Sequence, residues 1–220
     1  MNRIRWLLSP LVLLAFTLQA RQAQDSLKIP YEKQGGNLSL GVRSTVSAFN
    51  HGDPKEWGYG LGGHFRVQII DRINTEWYAD ILSNDIKGKA HRYDYHIGWS
   101  VMFYIIDPRG FNRKLTPFVE AGHCFDLTRI RLNGPEAPKA QQRLSSAVQM
   151  GLGCHYNITP KFDITLKAQY MLHLGKELHA HEEEDGSIEI EEHKNAGWEG
   201  HLLVTLSFNY KFLKLWKPKK

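Results

Sequence analysis

The stretch NITPKFDITLKAQYMLHLG, residues 157–175, decides how the chain is to be read. Within it Ile164, Leu166, Ala168, Tyr170 and Leu172 fall on one face, and Asp163, Thr165, Lys167, Gln169 and Met171 on the other. This two-residue period belongs to a β-strand, whose successive side chains point to opposite faces. In a soluble sandwich or lipocalin-like barrel the apolar face turns into the core. In a membrane barrel it turns out to lipid, and the polar face lines the lumen. The fold turns on which of the two faces meets water.

The same period recurs in about eight segments, a number typical of small barrels. They lie near residues 38–49, 57–69, 73–82, 93–106, 115–129, 147–158, 162–174 and 198–212. Several reach the roughly 9–11 residues that a tilted strand needs to cross hydrocarbon. No helical period of useful length separates them, so the connections are hairpins. Short links are expected at 70–72, 107–114 and 159–161, and longer polar ones at 50–56, 83–92, 132–146 and 175–197. Short turns on one rim and long loops on the other is the rhythm of an up-and-down barrel, with the turns periplasmic and the loops outside.

The polar face mixes charge signs and glycine: Ser39, Gly41, Arg43 and Thr45; Gly60, Gly62, His64, Arg66 and Gln68; Glu76, Tyr78 and Asp80; His96, Gly98 and Ser100; Gln149, Gly151, Gly153 and His155. Glycine weakens a solvent-facing strand without a packing return, but it fits where side chains crowd a narrow lumen. The other face is Leu, Val, Ile, Phe and Trp. Aromatics sit toward segment ends, at Trp57, Tyr59, Tyr93, Tyr95, Tyr156, Tyr170, Trp198 and Tyr210, where interfacial belts lie.

The chain opens MNRIRWLLSPLVLLAFTLQA, with Arg3 and Arg5 before an apolar run and Ala20 after it. This reads as a secretory signal peptide, too short to span a bilayer. The expected organisation is a signal peptide over 1–20, cut after Ala20 or Ala23, a periplasmic segment over 21–36, a barrel over 37–212 and a basic tail over 213–220. Cutting after Ala20 removes two arginines and lowers the formal charge from +5 to +3, so nucleic acid is not implied as a partner. No later stretch is apolar for long enough to be a transmembrane helix.

The signal peptide, the terminal strand LLVTLSFNYKF ending at Phe212, the motif TPFVEAG and the stretch GLGCHYNITPKFDITLKAQY resemble the small outer-membrane β-barrel superfamily of OmpA, OmpX and OmpW-type proteins. The resemblance covers nearly the whole chain after the signal peptide. It implies an all-β, eight-stranded antiparallel up-and-down transmembrane barrel in the cell outer membrane; lipid is the expected partner and a monomer the expected state. The tail LKLWKPKK departs from it by running on past the aromatic residue where such barrels usually stop.

The lumen charges are Arg43, Arg66, Lys167 and Lys211 against Glu76, Asp80, Asp94, Glu120 and Asp126. Isolated charges in a confined space are costly, so a structural ion-pair network of Arg43, Arg66, Glu76, Asp80, Asp94, Glu120 and Lys167 is expected in preference to an open conduit. The last loop, KELHAHEEEDGSIEIEEHKN, carries an Asp185-Gly186 hairpin signal. If its strands pair, His179 and His181 share a face with Glu192 and His193 nearby. That donor set suits a divalent metal such as zinc, while the plainer reading is a solvated acidic hairpin. The histidines at 64, 96, 155, 173 and 201 read as hydrogen-bonded lumen residues; His123 falls on the lipid parity, against the pattern.

Counting through one hairpin sets Cys124 and Cys154 roughly opposite on adjacent strands, which invites a disulfide. Parity puts them on opposite faces, which opposes one, and a one-residue slip would reverse the conclusion. Barrel enzymes such as the lipid A deacylases place serine two positions after histidine, and no histidine here has that spacing. No catalytic residue and no cofactor is expected. The role is read as envelope structure, surface contact or loop-mediated binding. The alternatives are metal capture by the last loop, a soluble periplasmic binding barrel and a lipid-modifying enzyme.

Overall fold

Residues with β-branched, aromatic or leucine side chains at every second position cannot cover both faces of a strand, so each segment needs a neighbour on either edge and a different medium on either face. In the computed structural model eight long strands meet this need by closing into one barrel. They are β1 (Asn37–Phe49), β2 (Trp57–Ile70), β3 (Ile73–Ile86), β4 (Ala90–Tyr104), β5 (Leu115–Leu132), β6 (Gln141–Asn157), β7 (Phe162–Leu174) and β10 (Gly200–Lys214). Each pairs antiparallel with the next, and β10 returns to β1. A separate hairpin, β8 (Glu177–Glu182) with β9 (Ile188–His193), occupies the connection between β7 and β10.

The structure describes residues 35–49, 57–86, 88–106, 114–133, 140–174, 177–182, 188–193 and 200–217, with backbone pairing alone for β8 and β9. The expected signal peptide, most of the 21–36 segment and the Asp185-Gly186 turn lie outside the described residues.

Exposure settles which face meets lipid. Leu61 is 72% exposed, Met150 68% and Leu166 57%, whereas Arg66, Glu76, Lys167 and Thr165 are 2% or less. The apolar set faces out and the polar set faces in, the reverse of a soluble barrel and the arrangement of a transmembrane one. Three small apolar groups interrupt the polar interior. Ile86, Ala90 and Ile130 pack at the loop end, Tyr78, Leu82, Cys124, Ala147, Met171 and Leu203 in mid-barrel, and Met102, Tyr104 and Phe118 toward the turn end.

The connections depart from the expected rhythm. The link expected to be long at 83–92 is tight: β3 and β4 run on to an Ile86↔Ala90 pair. Gly88 takes φ 71° there, and its amide donates to Asp85 Oδ2 at 3.0 Å. Alternation stops at the polar residues of a strand that projects past the rim, so the sequence pattern closed the strand too soon. Conversely, the link between β4 and β5, expected to be short, spans 105–114. Both described ends of the chain lie on its side, with the Asp71-Arg72 turn: Leu215 donates its amide to Gly36 O at 2.7 Å. Connections 50–56, 133–140 and 175–199 occupy the other rim.

Glycine is required where the lumen is tightest. A Cβ on Gly98 would stand 2.6 Å from the Tyr78 ring and 2.9 Å from the His123 carbonyl oxygen, while one on the outward Gly63 would meet nothing nearer than 3.6 Å. Gly98→Ala is therefore expected to destabilise the barrel by about 1–3 kcal/mol through overpacking, and Gly63→Ala to be tolerated. Melting of the two variants in detergent, followed by circular dichroism, checks this; equal midpoints would contradict the account.

Candidate functional site

The lumen holds the only dense chemistry among the described residues, and it is organised around one carboxylate. Glu76, on β3, receives Arg43 Nη1 at 3.1 Å and Lys167 Nζ at 2.7 Å on Oε1, and Arg66 Nε at 2.8 Å on Oε2. The three cations come from β1, β2 and β7, on both sides of the seam where the barrel closes. Each also reaches a second acid: Arg43 Nε lies 3.0 Å from Asp80, Lys167 Nζ 3.1 Å from Glu120 and Arg66 Nη1 3.1 Å from Asp163. Arg66 further donates to Thr165 at 3.2 Å and Ser207 at 3.4 Å, and the Arg43 guanidinium lies 4.1 Å over the Tyr78 ring. Alternation alone aims all of these inward.

Of the residues expected in the network, Arg43, Arg66, Glu76, Asp80, Glu120 and Lys167 thus come together, and Asp94 does not. Asp94 stands nearer the loop end, where it receives Arg92 Nε at 2.9 Å and Thr128 Oγ1 at 2.8 Å. Beside it Asp126 lies 3.5 Å from both His96 Nε2 and His173 Nδ1 and 3.8 Å from Arg143 Nη2. Asp163 is the member that sequence reasoning left out, although it shares the inward parity of Lys167 on the same strand. Lys211 stands 3.8 Å from it at the turn end.

The lumen histidines divide. His155 shares hydrogen bonds with Thr165 at 2.6 Å and Tyr104 at 3.3 Å, and His173 with Ser145 at 3.3 Å. His64 and His96 are buried without a hydrogen-bond partner among the described residues. His123, on the outward face, is met by Ser146 Oγ at 2.5 Å and the edge of Phe125 at 4.8 Å. Parity could not reveal this pair, which depends on the register between β5 and β6. That register also sets Cys124 opposite Ala147 and Cys154 opposite Pro117, about 23 Å apart along the strand rather than facing each other. Both thiols are free, Cys124 in the lumen and Cys154 on the outward face.

In the last loop the backbone register of β8 and β9 places Glu191 opposite His179 and Glu189 opposite His181. Glu192 stands opposite Leu178, and His193 opposite Glu177. Elsewhere, among the residues whose side chains the structure describes, no three His, Cys, Asp or Glu side chains are grouped to hold a metal ion.

Closed eight-strand barrels with an apolar exterior and a filled polar interior have known counterparts. The chain superposes on Neisserial surface protein A with a TM-score of 0.52 and 12% identity, covering 83% of this chain and 100% of that one. It superposes on a major outer membrane protein from Thermus thermophilus with a TM-score of 0.53 and 11% identity, covering 80% and 99%. The fold is that of a small outer-membrane barrel. No family model and no curated protein matches the sequence. At these identities the likeness concerns the backbone, and the polar interior has to be read from this chain's own residues.

Removing the central acceptor takes one of its two acids from each of three buried cations at once. Glu76→Gln is expected to cost about 3–5 kcal/mol, the range for breaking a buried pair by deleting one partner. Glu120→Gln, which leaves Lys167 its bond to Glu76, is expected to cost less than half of that. Urea titration of both variants refolded into lipid vesicles measures the difference, and equal losses would displace Glu76 from the centre of the network.

Proposed function

We propose that the chain is a resident of the cell outer membrane whose role is non-enzymatic: envelope structure, surface contact or binding through the loops at one rim. The observation that carries this reading is the division of the barrel wall. Apolar side chains cover the outside, and a buried ion-pair network with three apolar clusters fills the inside. In a wall of this kind the interior charges are engaged with one another rather than presented to a partner. Chemistry with a partner is left to the rims.

The test begins with the membrane fraction run on a detergent gel, boiled and unboiled. A barrel whose backbone hydrogen bonds close on themselves resists the detergent cold and unfolds on heating, so its apparent size should shift. Absence of a shift, with the protein recovered in a soluble fraction, would overturn the membrane reading. In planar bilayers the folded protein is expected to give no sustained conductance steps at neutral pH; regular openings would show that the lumen conducts.

A second reading rests on the register of β8 and β9, which opposes His179 and His181 to two glutamates. Imidazole with carboxylate suits a divalent transition metal, zinc above all. Calorimetric titration of the folded protein with zinc should give heat that is lost in His179→Ala/His181→Ala; the same heat in both proteins would remove this reading.

A further inference from the structure

Arginine occupies two environments in this barrel. Arg43, Arg66, Arg92 and Arg143 face inward, and each stands within 3.8 Å of a carboxylate. Arg129 and Arg131 face outward near the end of β5 and are exposed, and neither has an ion-pair or hydrogen-bonding side-chain partner among the described residues. Their neighbours follow from the register. Arg129 lies between Tyr93 on β4 and Gln142 on β6, and Arg131 lies opposite His91.

One outward position toward the barrel's middle the character changes. Leu127 takes the place of Arg129 and lies between Tyr95 and Leu144, the latter 70% exposed. Below these follow Phe125 and Ile97, 55% and 65% exposed. The step from leucine to arginine therefore occurs within about 7 Å of strand, the spacing of successive residues on one face. This places the two guanidinium groups directly above the apolar band, with tyrosines at the boundary as an interfacial belt has them.

Among the described residues no carboxylate pairs with either of them. Asp85, on the outward face of β3, stands 3.3 Å from His91 Nδ1. Two arginines spaced about 7 Å apart along one strand face, with no side-chain partner among the described residues, can offer phosphate a planar, multidentate set of donors. The Tyr93 hydroxyl, the Gln142 amide and the Ser83 hydroxyl opposite Tyr93 supply donors and acceptors suited to sugar hydroxyls on either side. The rim in question carries the 133–140 and 175–199 connections and lies away from both described chain ends, which in a small outer-membrane barrel makes it the external rim.

From this juxtaposition we infer that Arg129 and Arg131, with Tyr93 and Gln142, form a docking surface for a phosphorylated glycolipid of the outer leaflet. Its phosphate would lie on the two guanidinium groups and its acyl chains on Phe125, Leu127 and Leu144. The inference rests on the membrane reading above and adds to it a lipid class and an address on the wall.

The experiment titrates the folded barrel in neutral detergent with diphosphoryl lipid A, with its enzymatically dephosphorylated form and with phosphatidylglycerol, and reads binding by native mass spectrometry. The wild type is expected to bind the diphosphoryl form at least about ten-fold more tightly than the other two, a difference within reach of two charge-assisted contacts. Arg129→Gln/Arg131→Gln should reduce that preference to about two-fold or less while keeping the heat shift on the gel. Equal binding of the two glycolipids, or an unchanged preference in the double variant, overturns the inference. Phosphatidylglycerol binding as tightly as diphosphoryl lipid A overturns the glycolipid assignment. A chain without a heat shift fails the membrane reading itself, and this inference with it.

Discussion

The fold depends on the pairing of its first long strand with its last. Between Asn37↔Lys214 and Phe49↔His201 the backbone of β1 is joined to that of β10, and the Thr45 and Thr205 hydroxyls meet across the same seam at 3.0 Å. Without it, two long edge strands would present rows of amides and carbonyls with no partner. In hydrocarbon each unsatisfied group costs several kcal/mol, and in water such an edge invites pairing with other chains. Closure removes both edges at once and gives the sheet an inside and an outside. The alternating sequence then has only one choice left, which face goes where.

That choice brings its own difficulty, because the interior of eight strands is only wide enough for side chains to fill. Arginine, lysine and glutamate buried there lose their water, and one Coulombic pair does not reliably repay the loss. The barrel meets this collectively. Glu76 accepts from three strands, each of its cations holds a second acid, and hydroxyls of Thr165 and Ser207 take up remaining donors of Arg66. An apolar cluster of Tyr78, Leu82, Cys124, Ala147, Met171 and Leu203 packs in mid-barrel, while toward the turn end Thr165 joins Arg66 to His155, which in turn meets Tyr104. The interior charges are met by several partners from different strands rather than by single pairs.

The strands and their facing were legible in the sequence because a period of two is a local signal that survives any tertiary arrangement; β7 was read at both of its ends from alternation alone. What lay across strands was not. That Asp94 belongs with Arg92 rather than with Glu76 depends on height in the barrel, which parity does not carry. The partnership of His123 with Ser146 and the separation of Cys124 from Cys154 depend on the register of β5 against β6, set by a connection whose length the alternation misjudged. The tight Ile86↔Ala90 turn was missed because Asn84, Asp85 and Arg92 are polar whether a strand continues past the rim or ends at it.

The buried charges also fix the register they could not announce. Slipping β5 by one position would turn Glu120, Asp126 and Thr128 outward onto the apolar band and bring Val119, Phe125, Arg129 and Arg131 into the lumen. Lys167 would lose one of its two acids, and His96, His173 and Arg143 would lose Asp126. Phe125 would enter a space that Cys124 now fills beside Tyr78 and Met171. Hydrophobic burial alone would penalise the slip only on the outer face. The buried ion pairs penalise it on both, so a polar interior that adds little net stability still discriminates strongly between the native pairing and its nearest competitor.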